Sequence, residues 1–226
     1  MPSSHPADEF EFHVPQEDEK QRKRAPWGAM ALVLLTGLAL IRNGSGEFDV
    51  GPPQPASAAA ADRAPDAAAD APAPLTFSPA ERVRIKGIQV DAPVIGVGLD
   101  AEGWVDAPPP EDPNLAGWFT GAASPGEQGT AVVVGHVDNQ RGPAVFYGLG
   151  SLKKGQHIEV RRKDKKTAIF KIYGIEVFDK SDFPGKRVYG NSGTPELRVI
   201  TCGGGFSKQS GYDSNVVVFA RLTAVR

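Results

Sequence analysis

Between Val83 and Ala220, apolar residues recur at every second position in short runs, and the runs are separated by Gly, Pro and Asp. Residues 83–85, 92–97, 131–134, 158–160, 168–173, 197–201 and 216–220 all read as strands, most of them with this rhythm and two, 131–134 and 216–220, as unbroken apolar runs. A period of two places alternate side chains on opposite faces of a strand, so each run can turn one face to a core. Seven or eight short strands divided by turn residues predict an all-β domain, either a sandwich or a barrel. Helical pattern is scarce, and its best candidate is a short turn over residues 143–149. The prolines at 108–110 and the stretch 182–185 read as loops. No internal repeat points to a solenoid.

The N-terminal third has a different character. Residues 1–24 are polar and end on Lys20, Arg22, Lys23 and Arg24, after which residues 25–42 hold no charge before Arg42. As a helix this run spans roughly 25 Å, enough to cross a bilayer when Arg42 snorkels to the interface. Leu40-Ile41-Arg42-Asn43 is not a small-x-small cleavage site, so the segment reads as an uncleaved signal anchor rather than a removed signal peptide. The basic flank predicts a cytoplasmic N-terminus and an extracellular remainder, which makes the chain a single-pass protein of the cell membrane. Residues 43–76 are rich in Ala, Pro, Gly, Ser and Asp, with too little bulky apolar surface to offset their ordering entropy. They read as a disordered tether with a reach of roughly 90 Å when extended. Residues 77–226 remain for one folded domain. With 25 Lys and Arg against 27 Asp and Glu, no basic field draws the chain to nucleic acid.

The single cysteine, Cys202, ends an alternating strand and precedes Gly203, Gly204 and Gly205. A lone thiol forms no disulfide within the chain, so it is either a small core side chain or a group kept for its chemistry. The strand period sets Arg198, Ile200 and Cys202 on one face, and the glycines leave room for a substrate backbone to approach the sulfur. A second apolar run, Ala131-Val132-Val133-Val134-Gly135, delivers His136 at its end. A thiolate attacks an amide carbonyl to form an acyl-enzyme, and an imidazole beside it serves the amine steps as acid and base.

Gly135-His136-Val137-Asp138, Gly142-Pro143-Ala144-Val145-Phe146-Tyr147, Leu152-Lys153-Lys154-Gly155, Ile200-Thr201-Cys202-Gly203-Gly204 and Asn215-Val216-Val217-Val218-Phe219-Ala220 follow one another in an order that resembles the sortases. Within them the pattern is similar to the actinobacterial class F type. The resemblance covers residues 77–226, and the tethered, anchored layout matches it. It implies a closed eight-stranded β-barrel with short helical turns. It also implies a cysteine transpeptidase that cuts a Leu-Pro-x-Thr-Gly-like sorting motif between Thr and Gly. The acyl group then passes to an amine of the cell wall or of another protein, or to water. The partners so implied are secreted proteins with a C-terminal sorting motif and the acceptor amine, with no cofactor.

In that family Cys202 matches the nucleophile and His136 the acid and base. An arginine is expected on the strand after the cysteine, and at its place stands Asn215. Asn215 donates a neutral hydrogen bond. Arg198, on the face of Cys202, is the other candidate for a third group and would supply charge. Thr201, Ile200 and Arg141 are candidates for the substrate groove. Papain-like proteases run Cys before His, opposite to this chain. L,D-transpeptidases place their cysteine after Ser and Gly, not after Thr. Cys202 and His136 are too few ligands for a zinc site, and the loop acids Asp138, Asp182 and Asp213 form no dense ligand set, so no metal is expected. The alternative from another class is a sortase-like module that binds wall or protein and has lost turnover together with the arginine.

Overall fold

The computed structural model describes residues 51–56 and 71–226. The chain divides into units of residues 1–49 and 50–226, and the described residues belong to the second. The expected cytoplasmic tail and membrane anchor, and most of the expected tether, lie outside the described residues. Among the described residues no helix is long and apolar enough to cross a membrane.

Ten strands form in chain order: β1 (Ala80–Ile85), β2 (Val90–Val97), β3 (Ala116–Phe119), β4 (Thr130–Val134), β5 (Asp138–Asn139), β6 (Gly142–Pro143), β7 (His157–Arg162), β8 (Thr167–Asp179), β9 (Glu196–Ser207) and β10 (Gly211–Val225). Eight of them close a barrel in the order β1-β2-β3-β4-β9-β10-β8-β7, and β5 with β6 forms a small separate ribbon. Of the two architectures left open by alternation, the barrel is the one adopted. Closure removes the open sheet edges that a sandwich of these strands would expose.

Alternation sorts the side chains as the period of two requires. Val83, Val94, Val133, Val160, Phe170, Val199 and Val218 turn inward and belong to one buried cluster fed by the barrel strands. The opposite faces of β2, β4, β9 and β10 form a second cluster of Val97, Val132, Val134, Ile200, Val217 and Phe219. That outer face is covered by Val188 of the helix α1 (Gly185–Tyr189), with Phe183 and Tyr189 packed beside it. The stretch after Asp182 is thus a short helix where a loop is expected, because Val188 is fully buried against strands distant in sequence. Conversely, the expected helical turn at 143–149 is reduced to β6 and a 3-10 turn over Leu149–Ser151. The strand β3, only Ala-Gly-Trp-Phe, owes its form to parallel pairing with β2 rather than to a long apolar alternation.

The chain before β1 is fastened to the barrel. The backbone N–H of Leu75 donates to the Gly126 carbonyl at 2.8 Å, and the fully buried Arg162 donates to the carbonyls of Thr76 and Pro125, both at 2.5 Å. A buried guanidinium must find acceptors, and the entry segment supplies one of them. The Asp164 carboxylate completes the set at 3.0 Å, and this hydrogen bond holds its carboxyl below the ordinary carboxylate range. Upstream, Pro52 is buried, and the Pro53 carbonyl lies so close to Gly150 that a Cβ there would stand 1.9 Å from its oxygen.

Candidate active site

His136 follows the end of β4, and Cys202 lies at the matching level inside the neighbouring parallel strand β9, which runs on past the thiol to Ser207 through its pairing with β10 where the sequence suggested a strand end. β4 pairs with β9 from Thr130↔Glu196 to Val134↔Ile200, and each of the two functional residues lies two positions beyond that last pair. Adjacent strands run about 4.8 Å apart, so the register brings imidazole and thiol to the same level of the barrel mouth. Two hydrogen bonds extend the register past the ladder. The Gly135 N–H donates to the Ile200 carbonyl at 3.2 Å, and the Thr201 hydroxyl donates to the Gly135 carbonyl at 2.8 Å. Thr201 is therefore buried on the face opposite Cys202, where it couples the two strands instead of lining a groove.

Gly135 has a steric reason to precede the histidine. A Cβ at this position would come within 2.6 Å of both Phe146 and Val145, which pack beneath the strand end. The glycines after Cys202 likewise serve the protein's own hairpin. A Cβ on Gly203 would strike Val216, and Gly204 takes φ +81, where a Cβ would also collide with Asp213 and Ser214. The room expected for a substrate backbone at Gly203 and Gly204 is filled by β10.

Asn215 stands directly across from Cys202 in the β9–β10 register, so the two side chains share a face. Directly opposed residues hold their Cβ atoms roughly 4.5–5.5 Å apart, within reach of an amide beside a thiol. Asn215, Cys202 and His136 are each half-buried.

Arg198 shares that face but lies four positions down the strand, roughly 13 Å from Cys202 at the rise of a β-strand. It is 3% exposed, and it donates to the Glu196 carboxylate at 2.5 Å and to the Leu197 carbonyl at 3.3 Å. Its guanidinium also stacks 4.6 Å above the Phe219 ring. Tyr173 donates its hydroxyl to the same carboxylate at 3.1 Å. Burial, reinforced by the Glu196 charge and opposed by that of Arg198, pushes the Tyr173 phenol up to about 12. The sequence alone shows the shared face of Arg198 and Cys202; the neutralising carboxylate two residues before it is what removes Arg198 from the thiol.

Arg141 is exposed on the β5–β6 turn, where it donates to the Glu111 carbonyl at 3.4 Å. Ile200 lies on the outer apolar face with Val134 and Val217. Two connections wall this face. The β2–β3 connection contributes Val105 and Trp104, and the β8–β9 connection contributes Phe183, whose ring meets Trp104 edge-to-face at 5.8 Å. Farther from His136, a cavity of ≈ 530 Å³ opens over Val132, Phe119, Ala122, Thr130 and Tyr189.

Two contacts escaped sequence reasoning. The His136 Nε2 lies 2.7 Å from the Pro108 carbonyl, and Tyr212 of the β9–β10 hairpin donates to Asp138 in the segment after the histidine. Neither the acceptor in a proline loop nor a cross-loop phenol leaves a local sequence signal. Asp213 is likewise engaged within the protein, accepting from the Gly205 N–H at 2.9 Å. Among the described residues no group of three or more His, Cys, Asp or Glu could hold a metal ion.

A family model described as the sortase domain matches residues 83–223. A comparison with curated proteins found no match. Among solved structures the chain is similar to sortase A of Listeria monocytogenes, at 15% identity over 66% of this chain and 89% of that one, with a TM-score of 0.49. It is also similar to the sortase D5 transpeptidase of Clostridium perfringens, at 21% identity over 65% and 79%, with a TM-score of 0.48. Sortase C-1 of Actinomyces oris is similar at 20% identity over 63% and 73%, with a TM-score of 0.49.

Proposed function

The chain belongs to the sortase family, and on that premise we propose that it is a cell-surface transpeptidase of the class F type, with Cys202 as nucleophile and His136 as acid and base. The observation that carries the assignment is the shared register of β4 and β9, which sets both side chains at one level, with Asn215 opposite the thiol. Family members are cysteine transpeptidases, and each half-reaction follows from this arrangement. The Cys202 thiolate adds to the carbonyl of the motif's threonine, the C–N bond to glycine breaks, and His136 protonates the departing amine. An incoming amine of the cell wall or of another protein then attacks the thioester, and His136 takes its proton as the C–S bond breaks. Asn215 donates a neutral hydrogen bond to the carbonyl oxygen as charge builds on it.

Four extended residues on the acyl side of a Leu-Pro-x-Thr-Gly motif span roughly 13 Å. That length runs from Cys202 along the outer face to the level of Val132, where the ≈ 530 Å³ cavity opens beside Phe119 and Tyr189. We assign this cavity to the motif's leucine. With the anchor of residues 25–42 in the membrane, the barrel would face outward toward secreted substrates.

The assignment is tested by cleavage of a quenched Leu-Pro-x-Thr-Gly peptide. Cys202→Ala and Cys202→Ser are expected to abolish turnover with the fold intact, and His136→Ala to reduce it by about 10²–10⁴-fold. Cleavage at the wild-type rate by Cys202→Ala would overturn it. Asn215 in place of an arginine favours one second reading, a module that binds sorting peptides without turning them over. That reading requires measurable peptide affinity with no cleavage by the unmodified protein.

A further inference from the structure

The His136 ring makes one hydrogen bond among the described residues, from Nε2 to the Pro108 carbonyl at 2.7 Å. A carbonyl oxygen only accepts, so Nε2 must carry the proton. Pro108 is buried, while Pro109 and Pro110 after it are exposed. The sequence around this acceptor is unusually stiff. Each proline fixes its own φ, and each also holds the residue before it in extended conformation, so Pro109 pins the direction of the Pro108 carbonyl. Two further hydrogen bonds clamp the same segment to the ribbon that follows the histidine. Asn139 Nδ2 donates to the Pro110 carbonyl at 2.9 Å, and Arg141 donates to the Glu111 carbonyl at 3.4 Å. On the other side of the ring the main chain is held too, because the Phe146 N–H donates to the His136 carbonyl at 3.0 Å.

We infer that the triproline segment is the positioning element of His136: the Pro108 carbonyl holds the Nε2 proton and leaves Nδ1 as the nitrogen that moves protons in the reaction. The inference rests on the acid and base role proposed above for this histidine and adds which nitrogen performs it. In the neutral ring Nδ1 has the lone pair and takes the proton of the Cys202 thiol as the thiolate forms. The resulting imidazolium gives that same proton from Nδ1 to the leaving amine when the C–N bond breaks, which restores the Nε2–H tautomer. In the second half-reaction Nδ1 takes a proton from the attacking amine while the C–S bond breaks and the thiolate departs. The Nε2 proton stays on the Pro108 carbonyl throughout. Orientation of a catalytic imidazole by a fixed acceptor on its second nitrogen is the general way in which tautomer and ring angle are set. Here the acceptor is a backbone oxygen held by consecutive prolines rather than a carboxylate.

The test is a ring-nitrogen NMR spectrum of the full chain in detergent, labelled with ¹⁵N-histidine and recorded at alkaline pH, with His136 identified by its loss in His136→Gln. The expected result is a single Nε2–H tautomer at His136 whose Nε2 proton exchanges more slowly than that of the exposed His157. An Nδ1–H tautomer, or Nε2 exchange as fast as at His157, would overturn the inference. Pro109→Gly provides a second arm, since it keeps the Pro108 carbonyl but frees its direction. It is expected to lose the slow Nε2 proton and to lower kcat about tenfold, out of the 10²–10⁴-fold that acid–base catalysis supplies, with KM little changed. Loss of the slow proton with kcat intact would refute the positioning role. Failure of the acid and base role itself would show differently, as wild-type turnover in His136→Gln whatever the tautomer.

Discussion

An amide in place of a guanidinium changes what the group opposite a thiol can contribute. Asn215 offers a directional donor with no charge, and its cross-strand position against Cys202 leaves it the one candidate third group within reach. Asn215→Ala is expected to lower turnover by about 10²–10³-fold, the loss typical of one oxyanion donor, and Asn215→Arg to retain or raise it. Arg198→Ala has the opposite profile. It leaves the buried Glu196 carboxylate uncompensated, so it is expected to cost about 3–5 kcal/mol in urea denaturation while turnover per folded molecule changes little. Measuring both rates and unfolding midpoints for the two variants separates the roles. A large rate loss in folded Arg198→Ala would return the charge to Arg198. Cys202 and His136 were legible from the chain alone because each ends an apolar run; that β9 runs on past Cys202 to Ser207 was not, since Gly203, Gly204 and Gly205 read as the end of a strand. The Asn215 position could be suspected from the family pattern, but its pairing needed the register. The Pro108 acceptor was invisible, because a backbone oxygen has no residue signature.

At the scale of elements, β9 carries two kinds of residue on one face: a polar network at its start and the thiol near its middle. Tyr173 on β8 and Glu196 and Arg198 on β9 knit the network beneath the aromatic ring of Phe219. Because the Tyr173 phenol is held neutral up to about 12, above its ordinary value near 10, the folded state keeps a proton that the unfolded chain has lost. That contribution is full below pH 10 and disappears as pH rises through 12. Chemical denaturation between these limits should show stability falling with pH in the wild type, and Tyr173→Phe should blunt the slope. An unchanged slope in the variant would mean that Tyr173 does not set it. The alternation of β7, β8 and β9 and the unbroken apolar runs of β4 and β10 could be seen in the sequence. β3 and α1 could not, since the first is made by pairing with β2 and the second by burial of Val188.

At the scale of the whole molecule, the proposed function requires the barrel to reach secreted substrates. The buried Arg162 ties the entry segment at Thr76 to the barrel, so the folded unit starts before Phe77. The basic residues before the apolar run predict a cytoplasmic N-terminus and an external barrel. Protease added to intact protoplasts is therefore expected to remove the barrel, and a mature N-terminus beyond Ile41 or full protection of the barrel would reject this topology. The proposed reaction turns on a thioester at Cys202, and intact mass measurement reads it directly. The full chain incubated with a Leu-Pro-x-Thr-Gly peptide is expected to gain the mass of the peptide through its threonine, on Cys202 alone. That adduct should disappear when an amine acceptor is added, with the acyl–amine product formed in its place. An unmodified Cys202, with the peptide recovered whole over a range of motif variants, would contradict the account.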